Sequence, residues 1–339
     1  MKIICLKGQR SNRTPLSYPE YQKLFQSKFK YTRKPEDADL LVYSCFMDIR
    51  DDVEELKRIY SARPNIQLVI LSEEPLWDSL WSDNCFSKKG RIQIGDREYP
   101  YTFLNHWTTT IYDFENIPYF LTTGDDYFAR YAFLFSRNRA YKASELKSLW
   151  DNVPTRIAFF AEFKDDAHFD AYFPEYDAWG LSRYRTLIAK EMKNDKVLRV
   201  GKGWGDTKAR QLLPDWHLDK LAGLDRQSYM VSGIENTHQW NYVSEKIFDA
   251  FAVMAIPLYF ANSYHGVFRF ASEESFLNLY GLTVDQAVNR ICSFKLTKEF
   301  MDAYRAVQST LAEIFSQPML LVNERMRVVS EVVSELEAI

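Results

Sequence analysis

Two short stretches of this sequence hold residues whose types and spacing could do chemistry. The first is IENTHQWNYVSEKIFDAFAVMAIPLYFA, Ile234 to Ala261. Within it Ser244 is suited to cap a helix, and Ile247, Ala250, Phe251 and Met254 keep the i, i+3, i+4, i+7 spacing of a buried helical face. Lys246 then falls in the first turn, at the positive end of the helix dipole, where a cation costs about 0.3–1 kcal/mol. The placement is sensible if an anion shares the site, because free backbone N–H groups and the ammonium would hold it together. The plainer alternative is a solvated lysine balanced by Glu245. The second stretch is Glu73-Glu74-Pro75, directly after the apolar run QLVILS. Two adjacent carboxylates at a strand's carboxyl end raise at least one pKa when partly buried, which suits a general base. Pro75 disfavours helical geometry at Glu74, so the chain turns there. An acidic surface loop is the plainer alternative.

Two further cations stand on a helical pattern, and the resemblance described below implies that one of them joins the first stretch. The helical pattern SRYRTLIAKEM offers Arg183 and Arg185, and a guanidinium suits diphosphate because its planar fork donates two parallel hydrogen bonds. An exposed helix arginine is the alternative for either. Gly201-Lys202-Gly203-Trp204-Gly205 does not complete a G-x-G-x-x-G phosphate loop, since Asp206 holds the last position, and reads as a turn.

The elements that must position these residues alternate between strands and helices. KIICLKG, DLLVYSC and QLVILS read as strands in the first half, with the helical pattern VEELKRIYSA between the last two. PTRIAFFAE, KVLRVGKG, SYMVSGIEN and IPLYFA read as strands in the second half. From about Lys298 the tail is amphipathic helix, broken at Pro318. This rhythm predicts parallel sheets covered by helices. A polar stretch from Lys142 to Val153, ending at Pro154, suggests a seam. The expected architecture is α/β: one domain over 1–150 and a second with a helical tail over 151–339, facing a cleft; the resemblance described below implies that the first is acceptor-side and the second binds the nucleotide sugar. Ligands in such sheets lie beyond the carboxyl ends of the strands.

The order Glu235-Asn236-Thr237, Tyr242-Val243-Ser244-Glu245-Lys246-Ile247 and Ile256-Pro257-Leu258-Tyr259 resembles the signature of glycosyltransferase family 10, the α-1,3/α-1,4-fucosyltransferases, in its bacterial type. The resemblance is tight over Ile234 to Ala261 and loose over the rest. It implies two Rossmann-like domains in the GT-B arrangement and inverting transfer of L-fucose from GDP-fucose, with no metal or other cofactor. Lys246 would contact the donor pyrophosphate, with Arg185 (or Arg183) as the second cation. Asn236, Tyr242 and Glu245 would line the donor pocket and Glu235 would support it. Glu73 matches the family's catalytic base in register with Pro75, and Glu74 stands where the family has serine. Asn105-His106-Trp107 with Pro118-Tyr119 resembles an acceptor-side region, its usual core reduced to Ile111-Tyr112-Asp113. Glu74, Trp77 and Trp107 are acceptor-side candidates; Trp77, Trp81 and Trp107 could stack on sugar faces or pack in a core. Phe260-Ala261 departs from relatives that carry glycine after the strand. Two further readings stay open: a GT-B transferase using another nucleotide sugar, or a glycan-binding relative without turnover.

Composition bounds the alternatives. With 43 basic and 46 acidic residues the net charge is −3, without the broad basic face that nucleic acid requires. Cys5, Cys45, Cys85 and Cys292 are spaced as neither a zinc site nor a redox pair. Asp37-Ala38-Asp39 has the letters of a metal-binding Asp-x-Asp but precedes its strand. No run approaches the ~20 apolar residues of a membrane span, and the apolar run after Met1 is too short for a signal peptide. The expectation is a cytoplasmic protein acting on an oligosaccharide or glycolipid acceptor such as a lipopolysaccharide precursor. Peripheral membrane contact through the C-terminal helices stays open.

Overall fold

A computed structural model of the chain describes residues 1–75, 85–193, 196–205 and 212–339. It forms two α/β units, as expected. The first comprises Met1–Asp125 with Met319–Ile339, and the second Asp126–Pro318.

The first unit is built on six strands: β1 (Ile3–Lys7), β2 (Lys30–Tyr31), β3 (Leu40–Tyr43), β4 (Gln67–Leu71), β5 (Lys89–Ile94) and β6 (Arg97–Leu104). Their order is β2-β1-β3-β4-β6-β5, parallel except for the antiparallel β5–β6 hairpin. Successive side chains point to opposite faces of a strand, so each buried strand feeds two cores. On one face Ile4, Leu40, Val42, Val69 and Leu71 pack with Phe25 and Phe29. On the other, Cys5, Leu41, Tyr43, Leu68 and Ile70 pack with Leu56, Ile59 and Tyr60 of the helix Val53–Ala62. The C-terminal helix Pro318–Glu337 closes the first face with Val328, Val329, Val332 and Leu336. Its buried Glu324 accepts the N–H groups of Glu115 and Asn116, each at 2.7 Å. Leu336 is fully buried, so Leu336→Ala is expected to lower unfolding free energy by about 2–5 kcal/mol in a urea titration.

The second unit carries β7 (Thr155–Phe160), β8 (Tyr172–Phe173), β9 (Ala178–Gly180), β10 (Val197–Val200), β11 (Ser228–Ser232), β12 (Thr237–His238), β13 (Ile256–Tyr259) and β14 (Leu277–Asn278). The main sheet runs β10-β7-β11-β13-β14, all parallel, with a small antiparallel sheet β12-β9-β8. All seven strands read from the sequence are present. Among the described residues, no helix is long and apolar enough to cross a membrane.

The division between units falls at Asp125/Asp126 instead of 150/151, and the last 21 residues return to the first unit. The polar stretch after Lys142 is a surface helix, Ala143–Asn152, which buries Leu146 and Trp150. Trp150 donates Nε1–H to Met254 O at 2.7 Å and packs edge-on against Tyr304 at 5.0 Å. Tyr131 and Phe135 of the helix Asp125–Asn138 join Phe315 in an aromatic cluster, to which Tyr131 adds Phe248. This packing gives residues 126–152 to the second unit.

Candidate active site

In the second unit β11 ends at Ser232, and the chain passes through Gly233 to Glu235 and Asn236. A Cβ at Gly233 would lie 3.2 Å from Ile247 Cα and 3.3 Å from Lys246 O, so glycine lets this turn meet the backbone of the next helix. That helix is Glu245–Ala252. It stops short of Met254, whose φ of 60° places it in the left-handed region, so Met254 does not extend the helical face as its spacing suggested. Ala255 N donates to Ala250 O and Met254 N to Phe251 O, each at 3.0 Å, the double closure of a Schellman motif. Asn138 Nδ2 adds a bond to Ala252 O at 2.8 Å.

Ser244 occupies the N-cap position, yet its hydroxyl makes no capping bond to the helix. It lies 2.8 and 2.7 Å from Glu235 Oε1 and Oε2, and Ser244 N donates to Oε1 at 2.8 Å. Glu235 thus substitutes for the cap by binding the helix entry from outside. Lys246 Nζ sits 2.9 Å from Glu235 Oε2, 2.8 Å from Ser244 Oγ and 3.6 Å from Glu245 Oε2. Burial opposes the ammonium charge, but Glu235 and then Glu245 outweigh it and raise the Lys246 pKa. The compensation expected from an anion is therefore supplied chiefly by Glu235, with Glu245 farther away. An ammonium has three donors; the contact to Glu245 is too long for a hydrogen bond, so among the described residues two donors are engaged and the third can meet an incoming oxygen.

Arg185 lies on the helix Ser182–Glu191 and is 5% exposed. Its Nη1 donates to Ile234 O at 2.7 Å and its Nη2 to Asn236 Oδ1 at 3.2 Å, bracing the turn that presents Glu235. Its Nε is buried with no hydrogen bond among the described residues. Burial lowers the guanidinium pKa to about 10, against the opposing pull of Glu235 and Glu245. Arg183 points elsewhere, donating to Asp165 O at 2.9 Å and pairing with Asp170 at 2.9 Å. Tyr242 is buried in the same segment, its N–H donating to Gln239 O at 3.0 Å. Phe260 packs among Trp179, Tyr184, His238 and Tyr280, with ring centroids 5.2–5.6 Å apart. The Gly201 segment forms a turn closed by Trp204 N to Gly201 O at 3.1 Å; residues 206–211 lie outside the described residues.

In the first unit Glu73 lies two residues beyond β4 and is 6% exposed. Tyr18 OH is 2.9 Å from each of its carboxylate oxygens, Tyr119 OH donates to Oε2 at 3.1 Å, and Arg13 Nε donates to Oε1 at 3.2 Å. Burial raises the Glu73 pKa and Glu74 adds to the rise, while Arg13 and the tyrosine hydroxyls oppose it. Among the described residues three groups donate to the carboxylate, the Tyr18 hydroxyl being shared between its two oxygens. Glu74 pairs with Arg13 through Nη2. His106 Nε2 approaches Glu73 O at 2.9 Å, and its ring stacks on Tyr112 at 4.3 Å. The Asn105–Trp107 and Pro118–Tyr119 segments thus converge on Glu73 through His106 and Tyr119. Trp107 instead packs edge-on against Phe86 at 5.1 Å, while Trp77 and Trp81 lie outside the described residues.

Sequence reading missed Arg13 and Tyr18 at Glu73, the bond from Ser244 to Glu235, and the close approach at Gly233. Gly233 carried a legible signal, as a glycine between a strand and a helix start. Arg13 carried none, being one of two arginines in a polar loop.

No family model matches the chain, and no curated protein matches it. Among solved structures it is similar to an α1,3-fucosyltransferase with GDP-fucose at 16% identity, over 91% of this chain and 81% of that one, with a TM-score of 0.42. It is similar to HepE of Anabaena in complex with UDP and glucose at 11% identity, over 98% and 100% of the two chains, with a TM-score of 0.43. For the UDP-forming α,α-trehalose-phosphate synthase of Burkholderia xenovorans with glucose-6-phosphate, identity is 11%, coverage 96% and 67%, and the TM-score 0.33.

Proposed function

We propose that this chain is an inverting, metal-independent glycosyltransferase that moves L-fucose from GDP-fucose to a hydroxyl of a glycan acceptor, forming an α-linkage, α-1,3 in the family's habit. The observation that carries the reading is the cluster of Arg185, Glu235, Asn236, Ser244, Glu245 and Lys246 beyond the carboxyl end of β11. Parallel sheets bind ligands at that end, and all of these residues but Arg185 belong to the signature resemblance. In the reaction Glu73 takes the acceptor proton, the acceptor oxygen bonds to the anomeric carbon, and the bond from that carbon to the β-phosphate oxygen breaks. Lys246 and Arg185 offset the charge that collects on the departing GDP. Burial strengthens that effect, since the ammonium and guanidinium act with little screening by water.

The test is thermal melting of the pure protein with GDP, UDP, ADP and CMP, with and without EDTA. A nucleotide at 100 times its Kd adds about 2.7 kcal/mol to apparent stability. The expected result is a shift with GDP that EDTA leaves unchanged. A shift with UDP alone, or with none of the four, sinks the donor assignment. The Phe260-Ala261 departure favours one second reading, transfer of another GDP-linked deoxysugar. A donor panel separates it from fucose.

A further inference from the structure

We propose that Arg13 is a positioning residue for the Glu73 base: its guanidinium holds one carboxylate oxygen and keeps the group ionised where an acceptor hydroxyl must give up its proton. The proposal rests on the reading of Glu73 as base. Arg13 lies in the segment between β1 and the helix Pro19–Phe25, which also supplies Tyr18. Its side chain is 45% exposed, over a Glu73 side chain only 4% exposed and a Glu74 side chain 25% exposed. One guanidinium therefore serves two neighbouring carboxylates, with Nε on Glu73 and Nη2 on Glu74.

The groups facing Glu73 divide by what they can do. Tyr18 and Tyr119 fix the orientation of the carboxylate through neutral donors, which bring no net charge. His106, backed by Tyr112, meets the Glu73 carbonyl instead of its carboxylate. Glu74 repels the charge, as burial does. Arg13 is the one cation ion-paired with Glu73 among the described residues. Removing it leaves the carboxylate in place between two tyrosines, whose hydroxyls alone then answer burial and Glu74. In that state the carboxyl holds its proton to a higher pH, and while it holds it the group cannot take another.

The sign follows directly. A base works when deprotonated, so losing Arg13 moves the acidic limb of the kcat profile to higher pH. The expected displacement for Arg13→Gln is about 1–3 pH units, the range an adjacent opposite charge produces, with turnover recovering at alkaline pH. Arg13→Lys retains the charge and is expected to keep the limb near its original position. Glu74→Gln removes the repulsion and releases Arg13 to Glu73, so its limb is expected to move the other way.

The experiment follows GDP release from GDP-fucose, with water as acceptor, across pH for the full chain and the three variants. In parallel, the Glu73 carboxyl is titrated by 13C NMR and assigned by its loss in Glu73→Gln. A higher Glu73 midpoint and a raised limb in Arg13→Gln, both restored in Arg13→Lys, support the proposal. A uniform loss of rate at all pH values with an unmoved limb and midpoint overturns it, since that is what a merely structural arginine gives. If Glu73→Gln keeps its turnover, the base reading fails and the proposal falls with it. The NMR midpoint then still reports, separately, whether Arg13 governs the carboxyl. If Arg13→Gln does not fold, the Glu74→Gln limb decides: a downward shift supports the proposal and no shift overturns it.

Discussion

Glu73→Gln is expected to cut turnover by about two to four orders of magnitude, the usual contribution of a positioned general base, while GDP affinity stays within about twofold. Glutamine fills nearly the same volume and its amide oxygen still accepts from Tyr18 or Tyr119, so the pocket keeps its shape. What it loses is the ability to take a proton from the acceptor hydroxyl. The residues assigned to GDP, with Lys246 and Arg185 foremost, belong to the other unit. The measurement is kcat from GDP release together with a GDP titration by calorimetry. Turnover within a few-fold of the parent removes Glu73 from the mechanism. A matching loss of GDP affinity would mean instead that the substitution damages the fold.

The largest expected effect on stability belongs to Asp249. Its carboxylate is fully buried and meets His217 Nε2 at 2.8 Å, Lys220 Nζ at 2.7 Å and Tyr131 OH at 2.6 Å. Burial alone would raise its pKa, but Lys220 and His217 hold it below the ordinary carboxylate range. Asp249→Ala strips the partner from a buried Lys220 and is expected to cost about 3–5 kcal/mol, the price of an orphaned buried charge. Urea titration at neutral pH checks this; a loss below about 1 kcal/mol would show that water or relaxation rescues the lysine. The pH dependence has a definite sign. A depressed carboxylate contributes fully above its unfolded pKa of about 4, and that contribution fades as pH falls through the folded value. The variant is therefore expected to lose stability less steeply on acidification than the parent. Asp249 also lies on the same helix as Glu245 and Lys246, four and three positions on, so donor affinity is expected to weaken with it.

Much of the fold was legible because its inner strands are continuous apolar runs flanked by turn residues. DLLVYSC and IPLYFA can hardly be anything but buried strands, and the helix Val53–Ala62 announced itself by its apolar spacing. The β5–β6 hairpin did not. In β5 charged and polar residues alternate with Gly90, Ile92 and Ile94 on a mostly exposed edge strand, and Pro100 interrupts β6. The seam was misplaced because a polar run looks the same whether it is a linker or the outer face of a helix. At the site, Lys246 and Glu235 were legible as a pattern, while their mutual ion pair was not. Arg13 was hidden for a simpler reason: its partner is 60 positions away, and only tertiary structure brings the two together. Asp249 was hidden by its own chemistry. An aspartate within FDAF reads as the solvent side of a helix, and only the buried Lys220 and His217 explain its place inside.

The path of the chain through its two units bears on how the protein is made. The second unit is one continuous span, whereas the first is begun before it and finished after it by Met319–Ile339. During synthesis the sheet of the first unit emerges before the second unit, and Val328, Val329, Val332 and Leu336 emerge only after it. At about 5–20 residues per second, the roughly 190 residues of the second unit take on the order of 10–40 s to translate. For that interval one apolar face of the sheet awaits its cover, so the first unit cannot complete its core until the second has been made.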